Sequence, residues 1–280
     1  MDTIILKYQE IIKNRLQEIS LHWDKQKALK DSINYSLLNY GKLSRGLLLL
    51  FGLDEVNIDS KKYIDIACAI EMIQTYTLIH DDLPIMDDAK TRRAKPTNHL
   101  VYGSGVAMLA GDALLSDAFY VIANSQIKDD LKIKIIKTLS YYIGSNGICY
   151  GQVRDLENES CPFSSIDDIY DVIINKTSKL FIAVFEIIGE ISSLNKEQLY
   201  NLGLKLGLAF QIKDDLNDYM NTSVGKDNSI DVNKSTINKL IGYDNTINLF
   251  NNLKQEINEI ACLLFKKQII VIDYLNILLK

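Results

Sequence analysis

The chain has 280 residues, 47% of them hydrophobic and 24% charged, with a net charge of −5. That supplies enough apolar side chain for a large core and excludes a disordered or low-complexity chain. A net negative charge gives no overall basic surface for nucleic acid, so none is expected as a partner.

Helical periodicity dominates, and no convincing hairpin signal is present, so an all-α protein is expected. Residues 3–20 predict a first amphipathic helix, with Ile4, Ile5, Tyr8, Ile11, Ile12 and Leu16 on its apolar side. Acidic residues interrupt it, unlike a signal peptide, and no apolar run is expected to reach the length of a membrane span. A second helix is predicted over about 25–39. The segment Tyr40-Gly41-Lys42-Leu43-Ser44-Arg45-Gly46 then leads into the apolar run Leu47–Leu50. Tyr63–Leu78 carries only Asp65 and Glu71 as charges, the mark of a helix buried on nearly all sides.

That helix runs into Asp81, Asp82, Asp87 and Asp88, followed by Arg92 and Arg93. Negative charge is unfavourable at a helix C-terminus, and neighbouring carboxylates repel. A hard cation relieves both, and oxygen-only donors favour Mg²⁺ or Ca²⁺. Pro84 removes a helical hydrogen bond, so the last turn should unwind and let Asp87 swing in. Further helices are predicted over 106–124 and 128–145. Ser164 or Ser165 should cap another, with Asp167 and Asp168 in its first turn, running through Lys176 and Thr177 to Phe185. Asn195 should cap the helix that ends in a second acidic set, Asp214, Asp215 and Asp218, with Gln211 one turn earlier. A polar loop over 221–233 holds Lys226, and shorter amphipathic helices follow. Four cysteines show no CxxC spacing. Three of them sit among apolar neighbours, as reduced core thiols of a cytoplasmic protein would. No repeat or linker divides the chain, so residues 1–280 are expected to form a single domain.

On these motifs the chain resembles the trans-isoprenyl diphosphate synthases, most closely the bacterial farnesyl diphosphate synthases. Their first motif, DDxxxxD followed by RRGxPT, is matched by Asp81, Asp82 and Asp87, then Arg92 to Thr97 with Ala94 in place of glycine. Their DDxxD motif is matched by Asp214, Asp215 and Asp218. Their GGKRxRP is reduced to Tyr-Gly-Lys-Leu-Ser-Arg-Gly, which keeps Lys42 and Arg45. The resemblance implies an isoprenoid synthase-type helical bundle around a central cavity, a homodimer, and three Mg²⁺ held chiefly by Asp81, Asp87 and Asp214, with Asp82, Asp215 and Asp218 supporting. It assigns Arg92, Lys176, Thr177, Gln211, Lys226 and Lys234 to an allylic diphosphate. Lys42, Arg45, Gln74 and Arg93 fall to isopentenyl diphosphate. Gln152 and Asp155 match a motif on a helix beside the cavity. Tyr76, with Thr77 beside it, stands where product length is set.

The activity so implied is head-to-tail condensation of isopentenyl diphosphate with dimethylallyl and geranyl diphosphate to farnesyl diphosphate. Three alternatives share parts of the pattern: a geranylgeranyl diphosphate synthase, a class I terpene cyclase, and a non-catalytic synthase subunit. The intact DDxxD and the retained Lys42, Arg45 and Arg93 favour chain elongation. His80 precedes the aspartates as a tempting base. A structural role, or a hydrogen bond to the cluster, is the expectation for it.

Overall fold

A computed structural model describes residues 1–23, 26–223, 234–266 and 269–280. The chain forms two compact units, one from residues 1–50 and 59–132, the other from 51–58 and 133–280. Helices dominate both.

The first unit is built on α4 (Ile64–Asp81) and α6 (Ser104–Asn124), with α1 (Asp2–Ser20), α2 (Lys27–Leu37), the first turns of α3 (Ser44–Glu55) and α5 (Asn98–Tyr102) around them. Helix α4 has the all-round apolar surface the sequence predicts, and Ile66 to Ile73 are buried without a gap. Helix α6 buries Ala107, Ala110, Gly111, Leu114, Ala118 and Ile122, four of them small residues that let the two backbones come close. By length and composition alone α6 could cross a membrane, against the expectation that no run reaches that length; its most apolar stretch is 33% buried.

The second unit centres on α10 (Lys179–Ile191) and α11 (Lys196–Ser223), flanked by α7 (Asp129–Ile143), α8 (Ile148–Ser160), α9 (Ile166–Ile173), α12 (Ile237–Ile241), α13 (Tyr243–Leu264) and α14 (Ile270–Leu278). Phe181 and Phe185 of α10 are fully buried, each contributing about 1.5–3 kcal/mol of apolar burial. Ser165 caps α9 by accepting the Asp167 N–H, and Asn195 Oδ1 accepts the Gln198 N–H at the start of α11.

Several expectations need correcting. The single helix predicted from Ser165 through Phe185 runs unbroken from Ile166 to Ile191, but it contains a π-turn at Ile174–Ser178 that periodicity did not announce. Helix α13 is long, 22 residues, because Leu253, Ile257, Ala261 and Leu264 form one continuous buried stripe. A small antiparallel ribbon pairs Thr91 with Pro96 and Arg92 with Lys95. Its turn residues, Arg93 and Ala94, both have positive φ (52° and 61°), a type I′ turn without the Asn-Gly that announces one. Only Cys68 is a core thiol; Cys149, Cys161 and Cys262 are exposed. Neighbours in a helical sequence point about 100° apart, so an apolar stretch does not bury every residue in it.

Candidate active site

In the first unit, α4 ends at Asp81 and the chain turns back on itself. The Asp87 N–H donates to the Asp81 carbonyl at 2.9 Å, and the Asp88 N–H to the Leu83 carbonyl at 3.1 Å. The excursion around Pro84 therefore returns Asp87 beside Asp81, both half-buried. Asp82 is turned the other way and is 3% exposed. Its carboxylate takes the Arg92 guanidinium through Nε (2.8 and 2.9 Å) and Nη2 (2.7 Å), a bidentate pair. Burial pushes the Asp82 carboxyl up, opposed by Arg92. Asp82 thus fixes Arg92, and the ribbon that carries it, against the end of α4.

Arg93 points to the segment before α3. It donates to the Asn39 carbonyl, and its guanidinium lies so close over Gly41 that a Cβ there would meet it at 2.7 Å. The Lys42 carbonyl accepts from Gln9 Nε2 at 3.0 Å, leaving the Lys42 side chain exposed. Leu43, where the family motif is basic, is buried with φ 52° and serves packing. Gln74 and Thr77 lie together on α4, the Thr77 hydroxyl donating to the Gln74 carbonyl at 2.8 Å. Tyr76 is buried, its ring edge-on to His80 with centroids 5.7 Å apart. His80 Nε2 is 2.9 Å from the Met108 carbonyl of α6. That contact makes His80 part of the α4–α6 packing.

In the second unit the π-turn carries Lys176 and Thr177. An extra residue in a helical turn changes the direction of the side chains it holds, and such turns concentrate at functional sites. Two helices close on it. A Cβ at Gly151 of α8 would lie 2.2 Å from the Lys176 nitrogen, and one at Gly207 of α11 would lie 2.3 Å from Ser178 Cα. The Thr177 hydroxyl is 3.0 Å from Gln211 Oε1, and Gln211 Nε2 donates to Asp215 Oδ1 at 3.0 Å. Asp214 and Asp215 are half-buried and Asp218 exposed, one turn on.

Asp155 of α8 accepts from Lys176 Nζ at 2.6 Å and from Lys234 Nζ at 2.9 Å, both on Oδ2. Burial pushes its carboxyl up, but the charges and hydrogen bonds of the two ammonium groups outweigh that and hold it below the ordinary range. The result is two cations gathered on one anion, a net positive site suited to a phosphate group. Sequence reasoning matched Asp155 to a motif but missed this pairing, because Lys234 lies 79 residues away. Lys226 falls outside the described residues.

The donors of both acidic motifs are oxygens, which fits a hard cation. Among the described residues no three acidic, histidine or cysteine side chains form a closed metal cage. An ion held by either motif would therefore take further ligands from diphosphate and water.

The polyprenyl synthetase family model matches residues 26–261. The farnesyl diphosphate synthase of Micrococcus luteus is 41% identical over 81% of this chain and 80% of its own length. The geranylgeranyl diphosphate synthase of Cyanophora paradoxa is 35% identical over 92% of this chain and 88% of its own. Among solved structures, a geranyltransferase from Helicobacter pylori, complexed with magnesium and isoprenyl diphosphate, superposes with a TM-score of 0.86 at 30% identity. It covers 99% of this chain and 95% of that one. The helical fold and the two aspartate motifs define a trans-prenyltransferase of the isoprenoid synthase type. The chain belongs to the polyprenyl synthetase family, among its short-chain members.

Proposed function

We propose that the protein is a farnesyl diphosphate synthase, cytoplasmic and homodimeric, which extends dimethylallyl and geranyl diphosphate with isopentenyl diphosphate. The observation that carries this reading is the presence of two complete aspartate motifs, each with cationic side chains held in place in its own unit. Lys176 and Lys234, gathered on Asp155, serve the allylic diphosphate with Thr177 and Gln211; Arg92 and Lys226 are assigned to that diphosphate by the resemblance alone. Lys42, Arg45, Gln74 and Arg93 serve isopentenyl diphosphate.

Asp81, Asp87 and Asp214 would hold Mg²⁺, three ions as the resemblance implies, with Asp82, Asp215 and Asp218 orienting the neighbouring groups. Bound Mg²⁺ neutralises charge on the diphosphate. Arg92 and the lysine pair are donors fixed in advance where negative charge grows as the allylic C–O bond breaks, and such preorganisation favours the transition state. The isopentenyl double bond then attacks the allylic cation, forming the new C–C bond. A proton leaves the adjacent carbon for the departing diphosphate. No side chain has to act as nucleophile, which agrees with His80 being engaged with the Met108 carbonyl.

A twenty-carbon product is the second reading, favoured by the identity to a geranylgeranyl diphosphate synthase over most of both chains. Tyr76 decides between them in our reading. It lies five residues before Asp81, about 7.5 Å along the helix axis, and a closely packed aromatic there leaves no room for another five-carbon unit. Labelled isopentenyl diphosphate with dimethylallyl diphosphate and Mg²⁺ should give mainly the fifteen-carbon chain, and chelation should abolish it. Tyr76→Ala should lengthen the product by at least one unit. Twenty-carbon product from the wild type, or an unchanged distribution from Tyr76→Ala, would remove the farnesyl assignment.

A further inference from the structure

Midway along α4 sits one buried carboxylate. Glu71 is 6% exposed. At about 100° per residue it shares a stripe of the helix with Gln74, Leu78 and Asp81. A carboxylate so placed needs partners. Its Oε1 accepts the Gly46 N–H at 2.7 Å, and the Arg45 N–H also donates to it. These are first-turn amides of α3, which have no partner inside their own helix. Negative charge is favoured there by the helix dipole as well. The approach is close: a Cβ on Gly46 would lie 3.3 Å from Glu71 Cγ and 3.4 Å from the Ala67 carbonyl oxygen.

The same short segment carries the cations assigned to isopentenyl diphosphate. Lys42 precedes α3 and Arg45 lies in its first turn. Arg93 grips the segment from the other side, through the Asn39 carbonyl and over Gly41. The related motif has proline where this chain has Gly46, and proline has no N–H to give. The Gly46–Glu71 bond is therefore open to this chain because of that departure.

We propose that Glu71 is a positioning residue for isopentenyl diphosphate: by capping α3 through Gly46 it holds Lys42 and Arg45 in fixed register with Arg93. It touches no substrate. The inference rests on the assignment of those three cations made above. Its burial raises the Glu71 carboxyl, opposed by the Gly46 N–H and by Arg45 and Arg93, so the group sits within their field.

Steady-state kinetics with each substrate varied in turn tests it. Glu71→Ala should raise KM for isopentenyl diphosphate about tenfold and leave the allylic KM within about twofold, the scale of losing a hydrogen bond to a charged group. Glu71→Gln keeps an acceptor for the Gly46 N–H and should recover most of the loss. Gly46→Pro removes one of the two donors with Glu71 in place, so it should raise the isopentenyl KM in the same direction by less than Glu71→Ala, and it serves if that variant does not fold. An unchanged isopentenyl KM, or an equal rise for both substrates, overturns the proposal. A wild type that releases no diphosphate from the two substrates would sink the functional reading instead. Hydrogen exchange at the Gly46 amide then still tests the cap: protection equal in wild type and Glu71→Ala overturns it.

Discussion

At Asp155 one carboxylate oxygen meets two ammonium groups, and the sign of its pKa shift makes a prediction. Its folded-state pKa lies below the ordinary value, so its stabilisation is present above about pH 4 and is lost as the pH falls through the depressed value. Removing one member of a buried ion pair typically costs about 3–5 kcal/mol. Asp155→Asn should therefore lower the urea midpoint strongly at pH 7, and the gap to wild type should shrink below about pH 4. A gap of the same size at both pH values would mean that the two lysines do not depend on Asp155. Ala94 makes a different demand. It holds φ 61° in the turn that carries Arg92 and Arg93. Left-handed backbone costs a residue with a Cβ about 1–2 kcal/mol, part of which glycine returns through its freer unfolded state. Ala94→Gly should stabilise the protein by about 1 kcal/mol, measured by thermal unfolding; a loss of stability would show that the strain lies elsewhere.

Among the elements, the π-turn at Ile174–Ser178 is the one whose place depends most on its neighbours. Gly151 and Gly207 let two helices approach its backbone closely. Gly151→Ala puts a methyl group against the Lys176 nitrogen, and the clash is with backbone, so α8 or the turn must move. Overpacking of this kind costs about 1–3 kcal/mol. The variant should unfold at lower temperature and show a raised KM for the allylic diphosphate, with the isopentenyl KM little changed. Gly105→Ala is the matching control: a Cβ there meets nothing within 4 Å, and in the first turn of α6 it should be neutral or slightly stabilising. Equal effects of the two substitutions would remove the packing account of the turn.

For the whole molecule, the exposed apolar side chains concern assembly. Met108, Leu109 and Tyr120 of α6 are 45%, 55% and 68% exposed, and Leu100 and Val101 of α5 are exposed beside them in sequence. In the second unit Ile133 and Tyr141 of α7 are exposed as well. Large apolar surface of this kind suits an obligate homodimer. Light scattering at micromolar concentration should give twice the chain mass, and Leu109→Glu should shift the protein toward monomer. A stable wild-type monomer would contradict the proposed homodimer.

The sequence by itself determined the helical class, most helix positions and both acidic motifs. These follow from local rules: a 3.6-residue apolar period, caps such as Ser165 and Asn195, and a proline that stops α4 at the aspartates. The return of Asp87 to Asp81 was legible for the same reason, because it spans six residues. Tertiary structure alone decided what depends on distant segments. The π-turn needs Gly151 and Gly207 from two other helices. The Lys176–Asp155–Lys234 cluster joins residues up to 79 positions apart. The type I′ turn of Arg93 and Ala94 goes against local preference and is held by the ribbon and by the Asp82–Arg92 pair. Glu71 had left one trace in the sequence, a carboxylate in the middle of an apolar helix. Its partner, the first turn of α3, lies 25 residues away, and no periodicity records a contact at that distance.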